Sequence, residues 1–174
     1  MRIQSAWFSF FALLTSPLFA LTVSSSFTVN ASIQKGCAFG SSVNSSQSAM
    51  GTINFGTQSA AASNVDVAST AGNGSIVITC TPGITVTVEM DYGLHGGNST
   101  QRYVMNTAGT HLLPYQLYRD AARTQVWGTD ASALNISSFP SATQTYTVYA
   151  RYFGASPYPP AGQYTDSITV SLTY

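Results

Sequence analysis

Acidic and histidine side chains, the usual agents of acid-base catalysis, are scarce in this chain of 174 residues. There are six Asp and Glu residues and two His, and charged residues make up 7% of the sequence. Glu89 and Asp91 are the one close pair of carboxylates, and on an extended strand they would share a face, as glycosidase chemistry requires. Because Val86, Val88 and Met90 alternate with them, we interpret the pair as the solvated face of an ordinary strand.

The two histidines form no recognisable catalytic pattern. His95 lies in the Gly-rich stretch Gly93–Gly97, and His111 precedes an apolar pair, so neither is placed beside a nucleophile and an orienting group. The sequence therefore predicts no catalytic residues, no metal site and no cofactor, and we expect the protein not to be an enzyme.

The charge balance bears on nucleic-acid binding. Six basic and six acidic residues give a formal charge of zero at pH 7, and Lys35 is the single lysine. Contact with phosphates requires clustered Lys or Arg. We therefore expect no nucleic-acid partner.

Residues 1–20 have the pattern of a secretory signal peptide. Arg2 precedes an apolar stretch from Ala6 to Leu14, Ser16 and Pro17 interrupt it, and Ala20 marks the expected cleavage point. A membrane anchor is the alternative, but this run is shorter than the roughly 20 apolar residues that a spanning helix needs. We expect the chain to be exported.

Export gives the two cysteines a predicted role. In an oxidising compartment, Cys37 and Cys80 would form a disulfide, and two cysteines allow one connectivity. A metal site is the alternative, but these cysteines and the two histidines lie in separate segments and match no ligand spacing.

The elements that carry these residues alternate apolar and polar side chains with a period of two, which is typical of β-strands. Clusters of Gly, Pro, Asn and Ser separate the runs. The sequence predicts an all-β sandwich over residues 35–174, with Ala60–Gly74 as a surface connection. The predicted strands are Ser26–Gln34, Gly51–Phe55, Ser75–Thr81, Thr85–Tyr92, Arg102–Asn106, Leu113–Tyr118, Thr143–Phe153 and Gln163–Tyr174.

The last predicted strand keeps its alternation up to residue 174. Its apolar face consists of Ile168, Val170, Leu172 and Tyr174. A sandwich that normally adds one more strand here would be left with an open edge, and such an edge invites pairing with another chain. We therefore expect these four residues to line the edge of an acceptor groove.

The segment 21–34 alternates over thirteen residues and would extend to roughly 43 Å at about 3.3 Å per residue, more than twice a common strand length. We predict that it is an extension that runs into the first strand, and that Leu21, Val23, Phe27 and Val29 are the side chains it supplies to a partner by β-strand addition. The alternative is a long first strand paired entirely within its own domain.

The order of several short motifs resembles the spore coat U domain of archaic chaperone-usher pilus subunits, best known from Csu-type pili. A Gly-x-x-x-Phe-Gly strand, an Arg-x-x-Met element and a Trp-Gly pair stand between and after the two cysteines. The matching positions are Cys37, Gly51–Gly56, Cys80, Arg102–Met105, Leu113–Asp120, Trp127–Gly128 and Gly162–Tyr174. The chain departs from the family at Ala150, where a Gly often follows the Tyr.

This resemblance implies an incomplete immunoglobulin-like β-sandwich that lacks its last strand and receives one from the N-terminal extension of the next subunit. The implied partners are a periplasmic pilus chaperone, an outer-membrane usher and neighbouring pilus subunits. The implied location is the periplasm, and then a surface pilus of a Gram-negative bacterium that serves adhesion and biofilm formation. No cofactor is needed for such strand exchange.

Two other functions stay open at the sequence level. One is a carbohydrate- or surface-binding adhesin module, for which Tyr152, Phe153 and Tyr158 near three prolines form the best aromatic cluster. The other is a secreted coat protein, which would not depend on a chaperone or an usher.

Overall fold

The structure is a computed structural model that describes residues 21–41 and 50–174. The predicted signal peptide, residues 1–20, therefore lies outside the described residues. Contacts group the chain into two units, Met1–Ile33 and Gln34–Tyr174. No helix within the described ranges is long and apolar enough to cross a membrane.

The second unit is built from short antiparallel strands. One turn of 3₁₀ helix, Asp130–Ser132, interrupts them. The strands are β1 (Cys37–Phe39), β2 (Val65–Ala68), β3 (Ile76–Cys80), β4 (Val86–Met90), β5 (Arg102–Asn106), β6 (Leu112–Tyr118), β7 (Leu134–Ile136), β8 (Gln144–Tyr146), β9 (Tyr149–Tyr152), β10 (Tyr164–Thr165) and β11 (Val170–Thr173).

These strands form three antiparallel sheets. Their orders are β1-β3-β8, β10-β5-β6-β9-β2 and β11-β4-β7. The inward side chains of the sheets share one core, in which Ile76, Ile78, Val86 and Val88 are fully buried. The alternation of β3 and β4 in the sequence therefore corresponds to one face in the core and one face towards solvent.

Two long predicted strands are each divided. Thr143–Phe153 contains β8, which pairs with β3, and β9, which pairs with β6. Gln163–Tyr174 contains β10, which pairs with β5, and β11, which pairs with β4. Alternation continues through both crossings because the same face stays directed at the core, so the pattern alone does not reveal the change of sheet.

The prediction that Ala60–Gly74 is a surface connection was wrong, because it contains β2, which pairs with β9. Small residues flank β2 and hid its short Val65-Asp66-Val67 alternation. The three-residue strands β1 and β7 were also missed. In contrast, the structure assigns no strand to Ser26–Gln34 or to Gly51–Phe55, since strand assignment requires a hydrogen-bonded partner.

Candidate functional site

The last strand, β11, lies at the edge of its sheet. Val170 and Leu172 face Met90 and Val88 across the β11–β4 pair, so all four side chains share the inward face. Met90 is 2% exposed and Val88 is 0% exposed, whereas Val170 and Leu172 are only half-buried. The core is therefore covered over β4 and only partly covered at β11.

The other two predicted groove residues continue this face. Ile168 precedes β11 and is half-buried against the core, and Tyr174 follows it and is 57% exposed. On the side away from β4, β11 pairs with no strand in the part of the chain that the structure describes. This leaves a row of backbone groups and a strip of apolar side chains at one edge of the sheet.

A second free edge belongs to residues 50–55. Met50, Ile53 and Phe55 are half-buried and pack against the same core as β11. The Phe55 ring lies 6.3 Å from the ring of Tyr115 and 6.2 Å from that of Tyr152, measured between centroids. This segment thus has the inward face of a strand but no strand partner among the described residues.

Tyr115 connects the two free edges. Its ring contacts Phe55, and its hydroxyl donates a 2.6 Å hydrogen bond to Oδ2 of Asp166, just before Ile168. Burial raises the pKa of Tyr115, and the hydrogen bond to Asp166 raises it further. Tyr115 of β6 therefore contacts both the segment 50–55 and the residues that lead into β11.

Asp166 is held by several groups besides Tyr115. Its side chain is 3% exposed, the Leu94 amide donates to Oδ1 at 2.9 Å, and His95 Nε2 lies 3.6 Å from the same oxygen. Gly93 has a φ of 82°, and a Cβ there would collide with the carboxylate. The Gly-rich loop that carries His95 thus holds Asp166, in the segment between β10 and β11.

The N-terminal segment 21–33 is exposed and belongs to no sheet. It contains no strand, and its large apolar side chains are between 80% and 93% exposed. These side chains are Leu21, Val23, Phe27, Val29 and Ile33. A strand-length row of alternating apolar residues, interrupted at Ser25, is therefore available to a partner.

The predicted disulfide is confirmed. Cys37 in β1 and Cys80 in β3 lie directly opposite each other in the antiparallel pair and are bonded through their sulfurs. The bridge joins positions 43 apart and attaches the strand that follows the N-terminal segment to the core. The chain-entropy model assigns a loop of this length about 4 kcal/mol of stabilisation.

Sequence reasoning gave no structural role to Arg102, which is fully buried. Its guanidinium donates to the carbonyls of Asp91 and Trp127 and to Oε1 of Gln116, and it lies over the Tyr92 ring at 5.0 Å. Burial lowers the pKa of Arg102. A lone Arg at the start of an apolar strand was the available signal, since a buried charge must be fully hydrogen-bonded.

The acidic residues considered for catalysis accept hydrogen bonds from backbone amides of turns. Glu89 accepts a hydrogen bond from the Asp130 amide at 3.0 Å, and Asp91 accepts one from the Gly93 amide at 3.1 Å. His111 contacts the Thr110 hydroxyl at the surface. Within residues 21–41 and 50–174, no cluster of His, Cys, Asp or Glu could hold a metal ion.

The aromatic cluster proposed for an adhesin is divided by the fold. Tyr152 is buried against Phe55, whereas Tyr158 is 72% exposed. Phe153 and Tyr158 border an open depression of about 360 Å³ with Ala61–Ser63. The three aromatic side chains therefore do not form one binding surface.

Comparisons with known proteins agree with this architecture. The family model described as the Spore Coat Protein U domain matches residues 23–171. Protein U of Myxococcus xanthus is 29% identical over 171 residues, which covers 91% of this chain and 89% of that protein.

One solved structure has a similar fold. It is the crystal structure of the CsuC-CsuE chaperone-tip adhesion subunit pre-assembly complex from archaic chaperone-usher Csu pili of Acinetobacter baumannii. The TM-score is 0.56 at 18% identity, and the match covers 82% of this chain and 40% of that chain. The prediction of an all-β, immunoglobulin-like fold is thereby confirmed. With the family model covering most of its length, the chain belongs to the Spore Coat Protein U domain family.

Proposed function

We propose that this protein is a structural subunit of a chaperone-usher pilus, and that it polymerises by donating residues 21–33 to the open β11 edge of a neighbouring copy or related subunit. The observation that carries this proposal is the coexistence, in one chain, of an exposed strand-length apolar row and a sheet edge that lacks a partner. The apolar row would supply a strand, and the sheet edge would supply the backbone partner and apolar surface for it.

The two surfaces match in spacing. Ile168, Val170, Leu172 and Tyr174 recur at every second position, and so do Leu21 and Val23, then Phe27 and Val29. A strand laid along β11 would hydrogen-bond its backbone to the free edge and direct one of its faces towards the partly covered core beside β11, which is called the apolar gap below.

Burial supplies the driving force in this proposal. Four large apolar donor side chains, each worth about 1.5–3 kcal/mol when buried, would contribute roughly 6–12 kcal/mol before the costs of association. The apolar strip left exposed along β11 explains why a chaperone would be required before assembly.

The partners follow from this scheme. A periplasmic chaperone would occupy the open edge of the exported subunit, and an outer-membrane usher would exchange that strand for the extension of another subunit. The resulting surface fibre would serve adhesion and biofilm formation. The solved relative, described as a chaperone-subunit pre-assembly complex, supports the chaperone step in particular.

Alternation within the extension provides the test. Val23→Asp or Phe27→Asp would place an unpaired carboxylate in the apolar gap of another subunit, at a cost of several kcal/mol. Thr22→Asp or Ser24→Asp would direct the same charge to solvent. We expect the first pair to abolish surface fibres, seen by electron microscopy of cells, and the second pair to preserve them.

Chaperone capture separates assembly from folding in this experiment. Because the extension of a captured subunit is free in this scheme, all four variants should co-purify with the chaperone in equal yield. If the Val23 and Phe27 variants lost capture, and fibres followed subunit level alone, the segment would belong to the subunit's own core and the proposal would be wrong.

A secreted coat protein is the second candidate, and the observation that favours it is the match of residues 23–171 to the family model described as the Spore Coat Protein U domain. Deleting the chaperone and usher genes that the pilus scheme requires distinguishes the two functions. A pilus subunit would disappear from the cell surface, whereas a coat protein would still be exported and deposited.

A further inference from the structure

The covalent path from segment 21–33 to the proposed acceptor strand is much shorter than the path along the chain. Residues 34–36 connect this segment to Cys37, and the disulfide passes directly from Cys37 to Cys80. Residues 81–85 then lead into β4, the strand with which β11 pairs. The bridge thereby bypasses 43 positions of the chain, which include β2 and nearly all of β1 and β3.

Hydrogen bonds alone would hold this junction weakly against tension. Strand β1 pairs with β3 through three residue pairs, and the first of them is Cys37 with Cys80. A load that enters at Cys37 and leaves at Cys80 pulls on the same end of an antiparallel pair. The hydrogen bonds of that pair would then open one after another, because each carries the whole load in its turn.

The contacts just outside β1 lie at this same end. The Gly36 amide donates to Oγ1 of Thr81 at 3.0 Å, and the Thr81 amide donates to the carbonyl of Gly36 at 2.9 Å. These bonds would also be loaded first, before the rest of the β1–β3 pair. The disulfide is the covalent connection at this end of the pair.

Strand β4 is well placed to receive a load that arrives through Cys80. It lies between β11 and β7 in its sheet, so both of its edges are hydrogen-bonded. Its inward side chains, Val86, Val88 and Met90, are between 0% and 2% exposed. The indole of Trp127 also donates a 3.0 Å hydrogen bond to the carbonyl of Val88. Tension that reaches β4 therefore meets a strand that is held on both edges and covered by the core.

We propose that the Cys37–Cys80 bridge is the mechanical link of the subunit, which carries tension from a donated segment 21–33 directly to β4 and the acceptor edge. The bypassed chain stays out of the load path and keeps its fold while the fibre is stretched. This inference rests on the proposed function, because such tension requires a neighbour that holds the segment.

The bypassed length sets the size of the expected effect. Without the bridge, tension would peel β1 from β3 and draw out the chain that follows β1. At about 3.3–3.6 Å per extended residue, 43 positions correspond to about 150 Å for each subunit. A fibre of many subunits would lengthen by that amount at each one.

Stretching of isolated fibres in an optical trap measures this lengthening. At a constant force that leaves unmodified fibres at their initial length, fibres of the Cys37→Ala, Cys80→Ala double variant should extend by up to about 150 Å per subunit. Thr81→Val removes the side-chain acceptor of the Gly36 amide but keeps the bridge, so its fibres should behave like unmodified ones. If the double variant does not fold, unmodified fibres that are reduced after assembly provide the same comparison.

Reduction under load distinguishes a bridge that carries tension from one that only stabilises the fold. A thiolate of dithiothreitol attacks one sulfur of the bridge, forms a mixed disulfide and releases the other cysteine as a thiolate. The second thiol of dithiothreitol then completes the reduction. We expect the rate of stepwise lengthening in dithiothreitol to rise severalfold as the constant force is increased, because tension along the bond assists its cleavage.

The possible failures are distinct. A cleavage rate that does not change with force, or equal lengthening of oxidised and reduced fibres, would place the bridge outside the load path and overturn this role while the pilus function stands. Lengthening of Thr81→Val fibres like that of the double variant would assign the load to the hydrogen bonds instead. The absence of any fibre from the unmodified protein would overturn the proposed function, and this role with it.

Discussion

Individual charged residues in this sandwich are few, and most of them hydrogen-bond to a turn or a neighbouring strand. Arg102 illustrates this, because one side chain satisfies the carbonyls of Asp91 and Trp127 and the amide oxygen of Gln116. It thereby connects the start of β5 to the end of β4 and to the Trp-Gly pair that follows β6. Its contribution is structural and depends on complete hydrogen bonding.

Replacing Arg102 should therefore destabilise the fold strongly. Arg102→Met removes the charge and the donor to the carbonyls of Asp91 and Trp127, and we expect the free energy of unfolding to fall by about 3–5 kcal/mol. The midpoint of chemical unfolding, followed by Trp127 fluorescence, measures it. Arg102→Lys should be less damaging because it keeps a donor. An unchanged midpoint in Arg102→Met would show that these contacts contribute nothing to stability.

Asp66 makes a pH-dependent contribution to the stability of the fold. Its carboxylate accepts two hydrogen bonds from Arg151 across the β2–β9 pair, and Arg123 lies 3.1 Å away. The hydrogen bond from Arg151 and the nearby positive charges lower the pKa of Asp66. A lowered folded-state pKa means that the stabilisation is complete above the unfolded value of about 3.9 and is lost as the pH falls through the folded value.

The difference in stability between the Asp66→Asn variant and the unmodified protein should disappear in acid. Asp66→Asn should lower the unfolding midpoint by a constant amount between pH 7 and pH 5, and the gap to the unmodified protein should close below about pH 4. Denaturation curves of the two proteins at several pH values test this. A gap that widened in acid would contradict the assigned sign.

At the scale of elements, the difference between the inward and the outward face of β11 leads to a prediction for the strand that would accept the donor segment. Leu172 lies opposite Val88 and faces the core, whereas Thr173 lies opposite Thr87 and faces solvent. We expect Leu172→Asp to prevent donor-strand binding, because an unpaired carboxylate in the gap costs several kcal/mol. Thr173→Asp should assemble normally.

Mixing experiments measure this effect apart from folding. Subunits carrying either change can be offered a peptide with the sequence of residues 21–33, after circular dichroism and an intact Cys37–Cys80 bridge have shown that the subunit is folded. Equal peptide binding by the folded Leu172 and Thr173 variants would show that the β11 face is not the acceptor.

Sequence patterns predicted some elements closely and others not at all, for physical reasons. The strand Arg102–Asn106 was predicted at its observed bounds, because it is flanked by turn residues and remains in one sheet. The division between β8 and β9 was not predicted, since a crossing preserves the inward face. Short β2 was missed because four residues give too little alternation for a reliable pattern.

Periodicity in the sequence indicated the two apolar rows of the candidate site, but not the side-chain contacts between distant segments. Alternation marked Leu21–Val29 and Ile168–Tyr174, because an apolar face leaves a signal whether or not its partner is present. The contact of Tyr115 with both Phe55 and Asp166 left no such signal, because it joins residues 51 or more positions apart. Pairings at such separation depend on topology, which local periodicity does not encode.

For the whole molecule, the combination of an open edge and a free extension predicts concentration-dependent self-association. In the absence of a chaperone, the apolar strip on β11 and the exposed residues of segment 21–33 are both unprotected on the same chain. Two copies can then satisfy each other in a head-to-tail manner, which does not close and therefore extends into polymers. A chain that could cover its own edge would stay monomeric at every concentration.

In the proposed assembly scheme, expression of the mature chain alone should yield polymers or aggregates, and co-expression with the proposed chaperone should yield a soluble one-to-one complex. Size-exclusion chromatography with light scattering distinguishes these states. Deleting residues 21–33 removes the donor but leaves the acceptor edge, so this variant should still be captured by the chaperone and should no longer form ordered polymers. Hydrogen exchange on the captured complex adds a local readout, because the β11 amides should be protected only while a strand covers them. A stable, chaperone-free monomer with protected β11 amides would mean that the edge is closed within the subunit, and the assembly scheme would fail.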